Sequence, residues 1–255
     1  MAAKNPEVYK SILIAVFRSK APDPKTGDIL FTQSDLRAAA EKLGLEVRNF
    51  PDLTYNLRSR APLPDEILKA GYSTIAIRGR GRYALVRGDD KVTIPERTSI
   101  IEVSTNPIPK AVRDLLRDDE QSVLSAIGYM DVISDFMSTK AYRLQGHLRT
   151  TGSLGQQVEA DDIWVVEERG SRTILPVEAK GPRERLGRQQ MLSTLDAVLS
   201  KIPGVRAVPL AVQLEPSGHL LVVAFEYTKQ GRKISSIEPK RFARYRPRPK
   251  LPQWP

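Results

Sequence analysis

Cysteine is absent from these 255 residues, so the fold contains neither a disulfide framework nor a thiolate zinc site. Histidine is almost as scarce. His147 and His219 are the only two, which excludes a multi-histidine metal centre. No apolar run approaches the roughly 20 residues of a membrane span, and no apolar signal segment opens the chain. A cytoplasmic protein without a membrane partner is the expectation. Acidic residues are outnumbered, 30 Asp and Glu against 40 Lys and Arg, and the net charge of +10 favours a polyanionic partner. What remains is ordinary for a soluble protein: 40% hydrophobic residues suffice for a real core, and 27% are charged. The length suits one large domain or two small ones.

The N-terminal third reads as three helices and a hairpin. Residues 6–18 begin with Pro6, suited to a first helical turn, and repeat Val8, Ile12, Leu13 and Val16 at helical spacing. Thr32 and Asp35 form a capping-box pattern before a second helix with Leu36, Ala40 and Leu43 on its apolar stripe, ended by Gly44. Residues 50–60 form a third, with Leu53 and Leu57 facing inward. Residues 73–87 alternate around a Gly-rich turn as a hairpin. This order predicts a winged helix-turn-helix domain. Its third helix would present Asp52, Thr54, Tyr55, Asn56 and Arg58, with Arg60 just beyond, to base edges or phosphates. Its wing would lay Arg78, Arg80 and Arg82 along a phosphate backbone. The competing reading is a structural or protein-docking domain whose arginines form a solvated face.

Residues 88–117 read as a joint, with a strand pair over 91–103 and a linker at 106–109. The expected division is therefore 1–105, 106–228 and a basic, Pro-rich tail over 229–255. That tail carries Lys240, Arg241, Arg244, Arg246, Arg248 and Lys250, with Tyr245 and Trp254 between them, as an arm for nucleic acid or a solvated end. The middle domain opens with one amphipathic helix over 118–137. Strands follow at 141–151, 157–166 and 173–180, then a helix at 183–201 and strands at 205–214 and 219–227. The expected fold class is α/β (α+β), a mixed sheet flanked by helices.

The chemistry concentrates in residues 155–190. Glu159, Asp161 and Asp162 precede the apolar run Ile163–Val166, and a second apolar strand ends at Glu178-Ala179-Lys180. Side chains alternate along a strand, so Glu178 and Lys180 share one face while Val177 and Ala179 share the other. If these strands pair through the 167–172 turn, an aspartate of the first lies beside Glu178. Two carboxylates and an ammonium at one sheet end suit a divalent cation and a water to be activated.

This arrangement resembles the PD-(D/E)xK nuclease superfamily, whose fold is restriction-endonuclease-like. The residues carrying it are Asp161 or Asp162 on the first strand and Glu178-x-Lys180 on the second. The longer stretches 142–165, 175–181 and 186–190 resemble bacterial proteins regarded as restriction-type endonucleases, over roughly residues 118–228. The resemblance implies a Mg²⁺-dependent endonuclease hydrolysing phosphodiester bonds of double-stranded DNA, with Mn²⁺ able to substitute. Its leading version is a type II restriction enzyme reading a short site, often a homodimer, with a DNA methyltransferase in the same system. A repair or structure-specific nuclease is the alternative within enzymes, and a DNA-binding regulator with a degenerate nuclease fold the alternative outside them.

On that resemblance the metal would be held by an aspartate, Glu178 and the Ala179 carbonyl, with Lys180 positioning the water. The spacing Glu159-Ala-Asp161 favours Asp161; the pattern of Asp followed by two hydrophobic residues favours Asp162. Glu120, at the start of the first helix, is a candidate accessory ligand, though an acidic residue there is more often a charge matched to the helix dipole. Glu159, Gln189 and Gln190 are further accessory candidates. Gln145, His147 and Arg149 on one strand face, with Arg183, Arg185 and Arg188, are candidate DNA contacts. A strand or helix with one solvated face is their bland counterpart.

Overall fold

The structure is a computed structural model that describes residues 6–103, 107–117, 119–153, 155–182, 184–231 and 233–247. It divides into two compact units. One comprises the chain up to Asp90 with residues 154–157, the other residues 91–153 and 158–255. The joint thus falls near residue 90, where position 105 was expected, because residues 100–103 are built into the second unit's sheet.

The first unit runs α1 (Pro6–Ser19), β1 (Ile29–Thr32), α2 (Gln33–Lys42), α3 (Phe50–Ser59), α4 (Asp65–Lys69), β2 (Tyr72–Ile77) and β3 (Arg82–Arg87). The anticipated capping box opens α2: Thr32 Oγ1 accepts the Asp35 N–H at 3.2 Å and the Asp35 carboxylate accepts the Thr32 N–H at 2.7 Å. Asn49 caps α3, with Pro51 in its first turn. The strands form an antiparallel sheet in the order β1-β3-β2. Ile12, Leu13, Leu36, Leu53, Leu57, Ile75 and Leu85 meet in one core. Strand β1 and helix α4 were not foreseen, since four and five residues carry too little periodicity to read.

The second unit contains β4 (Ile100–Val103), α5 (Lys110–Arg113), α6 (Glu120–Tyr129), α7 (Val132–Met137), β5 (Ala141–Thr151), β6 (Gln157–Glu168), β7 (Ser171–Lys180), α8 (Arg188–Lys201), β8 (Arg206–Ala207), β9 (Leu210–Leu214), β10 (Leu220–Gln230) and β11 (Lys233–Pro247). These strands form a mixed sheet in the order β4-β11-β10-β9-β7-β6-β5, with β8 beside β7. Helices cover both faces. Val123, Ile127, Ile133 and Phe136 of α6 and α7 pack on Trp164, Leu175, Val177, Val212 and Val222. Met191, Leu195 and Val198 of α8 lie in the clusters of the opposite face, with Ala211, Leu221 and Val223 in one and Ile163 and Ile174 in the other. Among the described residues no helix is long and apolar enough to cross a membrane.

Several expectations change. The helix expected over 118–137 is two helices, because Asp131 adopts φ 51°, the left-handed region in which a helix cannot continue. The strand pair expected over 91–103 reduces to β4. The helix expected from residue 183 begins at Arg188. Residues 205–214 split into β8 and β9 around Pro209. Pro176, inside a central strand, is accommodated by the same split. The Ile174 carbonyl accepts the Val208 N–H at 2.9 Å on that side of β7. Two residues on, the proline nitrogen faces the same way, between the β8 and β9 pairings, where no ladder donor is required.

The largest change is at the C-terminal end. Residues 229–247, expected as a tail, finish β10 and form all of β11, which pairs with β10 along its length and in parallel with β4. Three of its arginines are engaged. Arg244 Nε donates to both Glu215 carboxylate oxygens at 3.0 Å, Arg246 Nη1 to Glu102 at 2.6 Å, and Arg241 lies 4.1 Å from the Phe136 ring centroid. Tyr245 is buried, its hydroxyl donating to Asp135 at 2.6 Å. Arg248, Lys250 and Trp254 lie outside the described residues. A chain ending at residue 231 is therefore expected to lose the second unit's cooperative unfolding transition and to aggregate, since Ala243 and Tyr245 leave the core and β10 becomes an open edge. Circular dichroism melting and sedimentation of the truncated chain check this.

Candidate active site

The site is built on one hairpin. β6 and β7 are joined by Arg169-Gly170, both at positive φ (50° and 77°), the geometry of a two-residue turn whose twist matches the strands. That turn fixes a register in which Glu168 faces Ser171 and Asp162 faces Val177. One step further along the same register, Asp161 comes opposite Glu178. Asp161 Oδ2 accepts the Ala179 N–H at 2.9 Å, which ties the aspartate to the Glu-x-Lys strand.

Four charged groups converge there. Glu178 is fully buried and Lys180 nearly so. The Lys180 ammonium is 4.0 Å from Glu178 Oε2 and donates to Glu120 Oε1, reaching from the first turn of α6. Glu178 in turn accepts from two residues of α8, Gln190 Nε2 at 2.6 Å on Oε2 and the Thr194 hydroxyl on Oε1. Burial, reinforced by Asp161, pushes the Glu178 carboxyl up to about 8 against the opposing pull of Lys180 and Thr194. Burial also raises Asp161; Lys180 opposes that rise and Glu120 adds to it. For Lys180, burial alone would lower the ammonium, but Glu178, Glu120 and Asp161 outweigh it and hold it above the usual lysine value. Two buried carboxyls side by side, each reluctant to ionise, are a place where added positive charge is favoured.

The two aspartates separate cleanly. Asp162, fully buried, turns to the opposite face, where its carboxylate accepts from Arg143 Nε at 2.8 and 2.9 Å and from Trp164 Nε1 at 3.0 Å. It does not join Glu178, because adjacent residues on a strand project to opposite sides. Glu159 is also elsewhere: it accepts from Arg149 Nε at 2.9 Å and contacts His147 Nδ1 at 2.9 Å. Gln190 makes the contact to Glu178; Gln189 is half-buried one position earlier. Thr194 escaped the sequence reading. Its signal was there, as a hydroxyl four residues after Gln190 within the buried stripe Met191, Leu195 and Val198.

The remaining candidates divide by exposure. Gln145, His147, Arg149 and Arg185 are exposed, and Arg188 is half-buried with its guanidinium 3.3 Å from Glu238. Arg183 lies outside the described residues. In the first unit, Tyr55 and Arg60 are exposed, with the Arg58 and Arg60 guanidinium groups 5.8 and 5.0 Å from the Tyr55 ring centroid. Asn56 and Arg58 are half-buried. Thr54 turns inward, donating to the Pro51 carbonyl, and Asp52 accepts the Tyr9 hydroxyl at 3.0 Å, so neither is presented as expected. Arg80 and Arg82 are exposed, but Arg78 is held by Asp28 at 3.2 Å, so the three arginines do not form one free row.

No family model, curated protein or solved structure matches the chain. Among the described residues, no group of three or more His, Cys, Asp or Glu side chains could hold a metal ion by itself. A cation at Asp161 and Glu178 would therefore need main-chain and water oxygens as well, in an open coordination sphere.

Proposed function

We propose that this protein is a Mg²⁺-dependent endonuclease acting on double-stranded DNA, of the PD-(D/E)xK type. The observation that carries the reading is the convergence of Asp161, Glu178, Lys180 and Glu120 at one end of a mixed sheet. The donor set fits the ion. It is all oxygen, as hard cations require, and a cation would favour the ionised form of the two carboxyls that burial raises. Asp161, Glu178 and the Ala179 carbonyl would hold it. Bound there, Mg²⁺ supplies positive charge to the phosphate and acidifies a water.

The chain's own groups do the rest. Lys180 stays protonated, so its role is to orient the attacking water and to offset charge developing on the phosphate. Glu120 fixes the ammonium from α6, while Gln190 and Thr194 fix Glu178 from α8. The exposed Gln145, His147, Arg149 and Arg185 provide phosphate contacts, and the net charge of +10 supplies the long-range attraction to DNA. The first unit, four helices and a three-stranded sheet ending in the β2–β3 hairpin, is read as a winged helix whose Tyr55, Asn56, Arg58 and Arg60 meet the duplex with Arg80 and Arg82. A separate reader domain favours restriction at a short site.

Plasmid cleavage tests this. The full-length protein is expected to cut with Mg²⁺ or Mn²⁺ and not with EDTA, giving discrete fragments for a restriction enzyme. Asp161→Asn is expected to abolish cutting. Asp162→Ala is expected instead to lower the melting temperature, since leaving Arg143 and Trp164 Nε1 without their acceptor costs about 1–3 kcal/mol. Cleavage lost with Asp162 and retained without Asp161 would reverse the assignment. No metal-dependent cutting of methylated or unmethylated plasmid, with DNA binding intact, would leave a DNA-binding regulator.

A further inference from the structure

On α8, two neighbouring hydroxyls behave differently. Ser193 donates to the Gln189 carbonyl at 2.8 Å, the local back-bond that a mid-helix Ser or Thr usually makes. Thr194 gives up that option and donates to Glu178 Oε1, on another element. Thr194 is 1% exposed, and a β-branched side chain in a helix has little rotational freedom, so the hydroxyl oxygen is held in place. Gln190, one helical turn earlier on the same face, donates to the other oxygen, Oε2. The carboxylate is thus gripped at both oxygens from one side. Its plane is fixed, with the Lys180 ammonium 4.0 Å from Oε2 and Asp161 hydrogen-bonded beside it.

We propose that Thr194 is a positioning residue that sets the Glu178 carboxylate for a divalent cation. The inference rests on the metal-dependent reading above and extends it to a residue outside the Asp–Glu-x-Lys set. Partners that orient a ligand group commonly change metal affinity 10–100-fold when removed.

The test measures Mn²⁺ binding to the full-length protein without DNA, by the electron paramagnetic resonance signal of the free ion. Thr194→Val keeps shape and burial but removes the donor, and is expected to weaken Mn²⁺ binding by roughly 10–100-fold. Thr194→Ser, which keeps the hydroxyl, is expected to bind within about threefold of the parent, on the same reasoning. Melting in EDTA accompanies each variant. If Thr194→Val does not fold, Thr194→Ala takes its place. A folded donor-free variant that binds Mn²⁺ as tightly as the parent overturns the inference while leaving the metal site standing. A serine variant as weak as valine overturns it too, because packing alone would then account for the loss. A parent that binds no Mn²⁺ overturns the metal reading and this inference together.

Discussion

Replacing Lys180 with alanine is expected to reduce Mg²⁺-dependent plasmid cleavage by roughly 10²–10³-fold, the loss typical when one group stabilising transition-state charge is removed. DNA binding, followed by gel shift in EDTA, should change far less. The ammonium serves three carboxylates at once, Glu120 by a direct bond, Glu178 at 4.0 Å and Asp161 through the field between them. Removing it leaves acids that can relieve their repulsion only by taking up protons or binding a cation. The variant should therefore melt below the parent in EDTA and recover part of the difference with Mg²⁺. Cleavage at the parental rate by a folded Lys180→Ala protein would remove Lys180 from the chemistry.

Glu178→Gln is expected to do the reverse to stability: the variant should be inactive yet melt several degrees above the parent in EDTA. The Glu178 carboxyl titrates near 4.5 when unfolded and is pushed up to about 8 when folded. A raised pKa means that its contribution is fully present below the unfolded value and is lost as pH rises through the folded one. At pH 7 the ionisation lost on folding amounts to about 3 kcal/mol, and the amide escapes it. The amide can also keep its neighbours: the Gln190 side chain can turn its oxygen inward, and the Thr194 hydroxyl can accept as well as donate. The gap between the two melting temperatures should thus be small near pH 4 and full by pH 8.5. Mg²⁺ should narrow it from the parent's side only. A gap independent of pH would point to packing.

The hairpin was legible because its information is local. Alternation places Glu178 and Lys180 on one face, and a two-residue turn with Gly170 sets which residue lies opposite them. The choice between Asp161 and Asp162 needed the actual register, since a slip of one residue exchanges them. Helices α1, α2 and α3 were legible for the same reason, down to the Thr32–Asp35 capping box. Features decided by distant partners were not. β11 carries Pro239, Pro247 and five basic residues, a composition that reads as a solvated end. Its strand character comes from β10 and β4, and its Arg246 bonds Glu102 across 144 positions of sequence. Thr194 is likewise an ordinary helix residue until Glu178 is brought beneath it.

The position of β11 also orders events on the ribosome. The core containing Ile12, Leu53 and Leu85 lies within the first 90 residues and can consolidate early in synthesis. β4 emerges soon afterwards but waits for β11 before its ladder can form, and Tyr245 seals the layer of α6 and α7 only then. The second unit therefore stays incomplete until its last strand has been translated. A nascent chain interrupted before residue 233 would carry the whole Asp161–Lys180 hairpin but lack the strand that joins β10 to β4.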